Sequence, residues 1–132
     1  MENEVVLLDT SILIEYYRKK DKSKSVLFHL FQTYSIFAVS AVTHFEIYTG
    51  SSNNQIDFWN EFFREITVLP FNAEISREAA NIDAALKKKN KQIAVPDLFI
   101  AATAIYHNIP LVTLNRKHFD RVDRIQLVEQ TN

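Results

Sequence analysis

The sequence predicts an α/β fold: a three-layer α/β/α sandwich around a central, mainly parallel twisted sheet of about five strands. Three observations predict it. Short β-branched runs alternate with longer segments of helical periodicity, and repetition of that kind implies βαβ units. The leading run is apolar throughout rather than alternating, which marks a strand covered on both faces. Parallel crossovers share one hand, so the intervening helices pack back onto the sheet and cover it.

Val5–Leu8 is the first such run and reads as a buried central strand. Thr10 and Ser11 offer capping oxygens, and Ser11 to Arg18 reads as a helix. Ser25 to Gln32 reads as a second helix, with Val26, Leu27, Leu30 and Phe31 at helical spacing. Ser35 to Val39 is a strand. Ser40 then caps a helix running to about Thr49, where Gly50 suits the residue after the helix end. Asn54 is read as the cap of a helix through Glu65, with an apolar stripe of Ile56, Trp59, Phe62 and Phe63. Ile66 to Leu69 is a strand stopped by Pro70. Asn72 caps a long helix to about Lys88, carrying Ile75, Ala79, Ile82 and Leu86 on one face. Pro96 opens a helix through Tyr106, since proline is tolerated in the first turn. Leu111–Leu114 and Ile125–Val128 read as the last two strands.

No linker, repeat or low-complexity tract interrupts this pattern, so residues 1–132 read as one domain. The absence of cysteine excludes disulfides, thiolate zinc sites and cysteine nucleophiles, and suits a reducing cytoplasm. The single glycine, Gly50, excludes the phosphate-binding loops and nucleophile elbows that need two or more. No secretory leader and no apolar run long enough for a bilayer is present, which predicts a soluble protein with no membrane partner. Net charge is −1, so any grip on nucleic acid must come from local clusters. Three basic stretches qualify: Arg18 to Lys24, Lys87 to Lys91, and Arg116, Lys117, His118, Arg121 and Arg124. Each reads equally as a solvated helix end or loop.

Three acids stand out. Asp9 follows the first strand, at the carboxyl end where parallel sheets bind ligands, though it also suits a helix cap. Asp97 opens a helix whose Leu98–Ile105 segment is apolar nearly all round, so its carboxylate borders low dielectric. Glu46 projects along a face read as packing through Val42, Phe45 and Thr49; it needs either a salt bridge or a functional partner. If the three converge, like charges raise each other's pKa and destabilise the fold unless a cation joins them. Mg²⁺, with Mn²⁺ as a substitute, takes oxygen ligands of this kind and supports displacement at phosphorus.

Four segments carry a resemblance. Val5-Val6-Leu7-Leu8-Asp9-Thr10-Ser11 resembles the opening strand of PIN domains. Ser40 to Gly50 is similar to their S-x-x-T-x-x-E-L-x-x-G segment, Pro96 to Ala104 to P-D-x-x-I-A-A-T-A, and Leu111 to Phe119 to L-V-T-x-N-x-x-D-F. Together they span nearly the whole chain, in order. Single-domain PIN proteins of this size resemble VapC-type toxins of toxin–antitoxin pairs. The resemblance implies a Mg²⁺-dependent endoribonuclease, an RNA substrate, an antitoxin partner and a homodimer. It implies that Asp9, Glu46 and Asp97 are the catalytic, metal-binding acids. Thr10, Ser11 and Thr113 would hydrogen-bond around them, and Asn115 would be a weak ligand. Arg116, Lys117 and His118 would contact phosphate. The chain departs from the family at the fourth acidic position, where Asn115 and His118 are the candidates. An inactive PIN module that binds RNA or a protein is the alternative. A receiver-like signalling domain is excluded, since it needs an acidic pair after the first strand and a lysine after a late one. The Phe58, Trp59, Phe62 and Phe63 stripe reads either as core or as a groove or dimer face for a partner helix.

Overall fold

The structure, a computed structural model, describes residues 4–129. Its sheet has four parallel strands: β1 (Val5–Leu8), β2 (Ile36–Ser40), β3 (Thr67–Leu69) and β4 (Leu111–Val112), in the order β3-β2-β1-β4. Seven helices connect or follow them: α1 (Thr10–Arg18), α2 (Val26–Leu30), α3 (Ala41–Thr49), α4 (Asn53–Phe62), α5 (Ala73–Lys88), α6 (Val95–His107) and α7 (Arg116–Phe119).

The strand count is four, not five. The stretch 125–128 reaches the sheet only through an isolated parallel bridge between Leu111 and Leu127. Leu111 donates to the Gln126 carbonyl at 2.8 Å, and Val128 donates to the Leu111 carbonyl at 2.9 Å. The reason is the shortness of β4. Pro110 before it has no N–H, and the Leu114 N–H beyond it turns to the Ser11 hydroxyl. A two-residue edge leaves no ladder for a full fifth strand.

The sandwich follows from the side-chain alternation of a strand. Leu7, Ala38 and Leu111 point to one face, where Ile75, Ala79, Ile82 and Leu86 of α5 and Leu98, Ala101 and Ala102 of α6 cover them. Val6, Leu8, Val39 and Val112 point to the other, against Ile12 and Leu13 of α1, Leu27 of α2, Ile47 of α3 and Trp59 of α4. Burial of each Val, Leu or Ile side chain among these contributes roughly 1.5–3 kcal/mol, so both layers are strongly tied to the sheet.

Local boundaries depart from the sequence reading in instructive ways. The cap of α4 is Ser52, not Asn54, because Ser52 and Gln55 stand at capping-box spacing and satisfy each other's backbone N–H groups. That helix ends at Phe62 and tightens into a 3₁₀ turn over Phe63–Glu65. Gly50 caps α3 with φ −92°, so left-handed freedom is not what it provides. A Cβ there would lie 3.3 Å from the Glu46 carbonyl, a tight approach that favours glycine. Asn108, at φ 55°, does take the left-handed turn that closes α6 and sends the chain into β4.

The aromatic stripe divides between core and surface groove. Trp59 is buried in the core beside Tyr17 and Phe63. Phe58 and Phe62 line a groove of about 700 Å³ with Tyr16, Leu27, Phe31 and Phe37.

Candidate active site

The strand order positions the site. From β1 the chain steps outward to β2 and β3, then returns to place β4 on the opposite side of β1. The crevice at such a reversal, beyond the strand ends, is where open parallel sheets bind ligands. Leu8 pairs with Val112, so Asp9 and Thr113, each one residue further on, emerge side by side.

Asp9 stands at the N-cap of α1, yet its side chain makes no capping hydrogen bond. The carboxylate is directed into the crevice instead, and the residue is only 2% exposed. Its Oδ2 accepts from Ser11 Oγ at 2.6 Å and from Thr113 Oγ1 at 2.7 Å. Each hydroxyl in turn accepts a backbone N–H, Ser11 from Leu114 at 3.0 Å and Thr113 from Asn115 at 2.9 Å. Those amides occupy hydroxyl lone pairs and aim both protons at the acid. Charge-assisted bonds of this kind offset the cost of burying a carboxylate.

Glu46 comes from α3. The sequence reading put it on a face with Val42, Phe45 and Thr49, but α3 buries Thr43 and Ile47, while Phe45 is 66% exposed. The correction has a polar cause: Thr43 faces inward to bond Thr10, its oxygen 2.9 Å from Thr10 Oγ1. Thr10 donates to Glu46 Oε1 at 2.7 Å. None of the ion pairs among the described residues involves Glu46 or Asp9, so the salt-bridge reading of Glu46 fails.

Asp97 lies in the first turn of α6, after Val95 and Pro96, with its side chain 19% exposed. Burial holds its carboxyl above the ordinary range, and the negative charge of Asp9 and, more weakly, of Glu46 pushes the same way. His118 opposes them from α7, its Nδ1 3.3 Å from Asp97 Oδ2. The three acids therefore lie in one another's field, on elements 37 and 51 residues apart in sequence (Asp9 to Glu46, Glu46 to Asp97).

They do not form a ready-made cage. Among the described residues no group of three or more His, Asp or Glu side chains could hold a metal ion as they stand. The donor chemistry suits a hard divalent cation nonetheless: three carboxylates, surrounding hydroxyls, and a repulsion on Asp97, offset only in part by His118, that a cation would relieve.

The remaining expected residues divide. Thr10, Ser11 and Thr113 bond the acids directly. Asn115 orients Thr113 through its backbone N–H, and its exposed side chain makes no capping bond to α7. Arg116 donates to the Val128 carbonyl at 2.9 Å and pairs with the exposed Glu129 at 3.2 Å. Lys117 is exposed, and His118 is turned onto Asp97. Thr43 was missed. Its position three residues before Glu46, inside the quoted motif, was the available signal.

The family model described as PIN domain matches residues 6–125. The chain is 32% identical over 127 residues to "Ribonuclease VapC1" of Methanocaldococcus jannaschii, covering 96% of this chain and 87% of that protein. It is similar to a structure of VapBC2 from Rickettsia felis bound to a promoter DNA fragment, with TM-score 0.82 and 25% identity over 94% of this chain and 97% of that one. A structure of VapBC-1 from nontypeable Haemophilus influenzae gives TM-score 0.82 and 26% identity, covering 95% of this chain and 97% of the other.

Proposed function

This chain belongs to the PIN-domain family, and on that premise we propose that it is a metal-dependent endoribonuclease, the toxin of a VapBC-type toxin–antitoxin pair. The observation that carries the reading is the convergence of Asp9, Glu46 and Asp97 at the reversal of the sheet, with Asp97 pushed up by burial and by the other two acids. A relative at this level of identity is a VapC ribonuclease.

Asp9, Asp97 and Glu46 would hold Mg²⁺, or Mn²⁺ in its place. When bound, the ion supplies Lewis-acid polarisation of the scissile phosphodiester and neutralises the crowded carboxylates. Ser11 and Thr113 fix the orientation of Asp9, and Thr10 does the same for Glu46. Asp9 and Asp97 are assigned as ligands. Glu46 is assigned to ligate or to position the attacking water by accepting its proton. Catalysis of this kind needs little beyond placement and charge. Partners in this reading are an RNA substrate, a cognate antitoxin and a second copy of the chain, in the cytoplasm.

The test is incubation of the purified protein with total RNA, with Mg²⁺ or with EDTA, beside Asp9→Asn and Asp97→Asn. Cleavage that needs Mg²⁺ and both acids supports the reading. Cleavage that survives EDTA or either substitution defeats it. A protein that binds RNA or an antitoxin but never cuts, under any of these conditions, is the inactive module; the missing fourth acid, where Asn115 and His118 are the candidates, is the feature that favours that alternative.

A further inference from the structure

We propose that Arg18 is the phosphate anchor of a single-stranded RNA track crossing the acid site. The proposal rests on the ribonuclease reading above and names the path its substrate takes.

Arg18 closes α1, the helix whose first turn carries Thr10 and Ser11 at the acids. Ser11, Ile14 and Arg18 are spaced three and four residues apart, so they share one helix face. Two clefts meet along that face. One, of about 520 Å³, is lined by Ser11, Ile14, Arg18, Leu114 and Asn115. The other, of about 150 Å³, contains Ile14 and Arg18 again, together with Glu46. One cleft thus touches a hydroxyl that holds Asp9, and the other touches Glu46 itself. Arg18 stands between them.

Its charge is not neutralised. Arg64, Arg116, Arg121 and Arg124 are each engaged with a carboxylate or a backbone carbonyl, while Arg77, on α5, lines neither of the two clefts. The Arg18 side chain makes no ion pair or hydrogen bond to any described residue. Glu15, which lines the larger cleft, is itself bonded to the Val26 N–H at 3.1 Å and paired with Lys19 at 3.8 Å. Position in the last turn of a helix explains a cation there, but not its place between two clefts beside the acids.

The chemistry of the clefts fits one occupant. Ile14 and Leu114 are exposed apolar side chains at the larger cleft and offer van der Waals contact to a flat, largely apolar base face. A polyanion brought to a carboxylate cluster in a chain of net charge −1 needs a local cation, and phosphate contacts position a strand without reading its sequence.

The experiment is fluorescence anisotropy of a labelled oligouridylate titrated with full-length protein in EDTA, over a series of salt concentrations. Wild type is compared with Arg18→Ala, Arg18→Lys and, as a surface control, Arg64→Ala, each first checked for an unchanged melting temperature. The expected result is about tenfold weaker binding for Arg18→Ala and a salt slope shallower by about one unit. Arg18→Lys should recover part of the affinity, and Arg64→Ala should match wild type. Binding of Arg18→Ala with wild-type affinity and slope overturns the proposal, as does a wild type that does not bind RNA. A loss confined to capture of a protein partner also overturns it. Arg18-dependent binding in a protein that never cleaves supports this proposal while defeating the nuclease reading, so the two failures are distinguishable.

Discussion

Replacing Thr113 with valine removes one hydroxyl from the centre of the site and leaves the side-chain shape nearly unchanged. That hydroxyl donates to Asp9 Oδ2 at 2.7 Å and accepts the Asn115 N–H at 2.9 Å. Thr113 is 1% exposed and Asp9 2%, so water has little room to replace the lost donor. A hydrogen bond to a charged group contributes about 1.5–3 kcal/mol. Ser11 still serves the same oxygen at 2.6 Å, so Asp9 is not orphaned and the lower half of that range applies. The Asn115 N–H belongs to an exposed residue and rehydrates at small cost. The net loss should be about 2 kcal/mol. For a chain of 132 residues, each kcal/mol moves the melting temperature by about 4 °C, so Tm should fall by about 8 °C at neutral pH. The assay is thermal unfolding followed by circular dichroism, with urea unfolding to confirm an unchanged slope. Thr113→Ser keeps the hydroxyl and should lose under about 1 kcal/mol, the cost of one methyl group. A double-mutant cycle with Asp9→Asn should show coupling of about 1 kcal/mol. A Thr113→Val protein melting within about 1 °C of wild type would refute the reasoning, as would a serine variant as unstable as the valine.

The raised pKa of Asp97 predicts a pH dependence whose sign is unusual for a carboxylate. The folded state binds the proton more tightly than the unfolded chain. Its contribution is therefore fully present below the ordinary carboxylate pKa and lost as pH rises through the raised value. Urea unfolding from the acid carboxylate range to neutrality should show this downward component in wild type and not in Asp97→Asn; equal profiles would contradict it. Asp21, held low by the Ser23 hydroxyl and N–H, contributes the opposite slope in both proteins and cancels in the comparison. MgCl₂ should raise the melting temperature of wild type and leave Asp97→Asn unchanged, measured by scanning fluorimetry; equal shifts would place the ion elsewhere. Lys22→Met should cost about 2 kcal/mol by urea unfolding, because Lys22 Nζ bonds the carbonyls of Tyr16, Tyr17 and Lys19 at 2.7–2.8 Å and closes the end of α1. An unchanged midpoint would show that water serves those carbonyls equally well.

What the sequence made legible is what is decided by near neighbours. Asp9 could be placed at a strand end, Asp97 in a helix's first turn, and the hydroxyls of Thr10 and Ser11 near them, because strand runs, caps and apolar periodicity are local. The misreadings fall where a distant residue decides. Val42, Phe45 and Thr49 share a helix face by spacing alone, yet α3 turns Thr43 inward, where its hydroxyl meets that of Thr10, 33 positions earlier, at 2.9 Å. The fifth strand failed because two residues of β4 face it, a length fixed by Pro110 and by Ser11 from across the crevice.

The same division explains why the site could be listed by residue but not assembled. Asp9 and Thr113 meet across 104 residues only because Leu8 pairs with Val112, and nothing in either segment specifies that pairing. What specifies it is the requirement that α5 and α6 cover one face and α1 to α4 the other, which leaves the free edge of β1 for the last strand. Burial thus chooses the strand order, and the order brings the acids together against their mutual repulsion. A fold that holds like charges in place by its apolar layers is one whose stability should rise when a site acid is neutralised, and the Asp97→Asn measurement at neutral pH tests that link between core and chemistry directly.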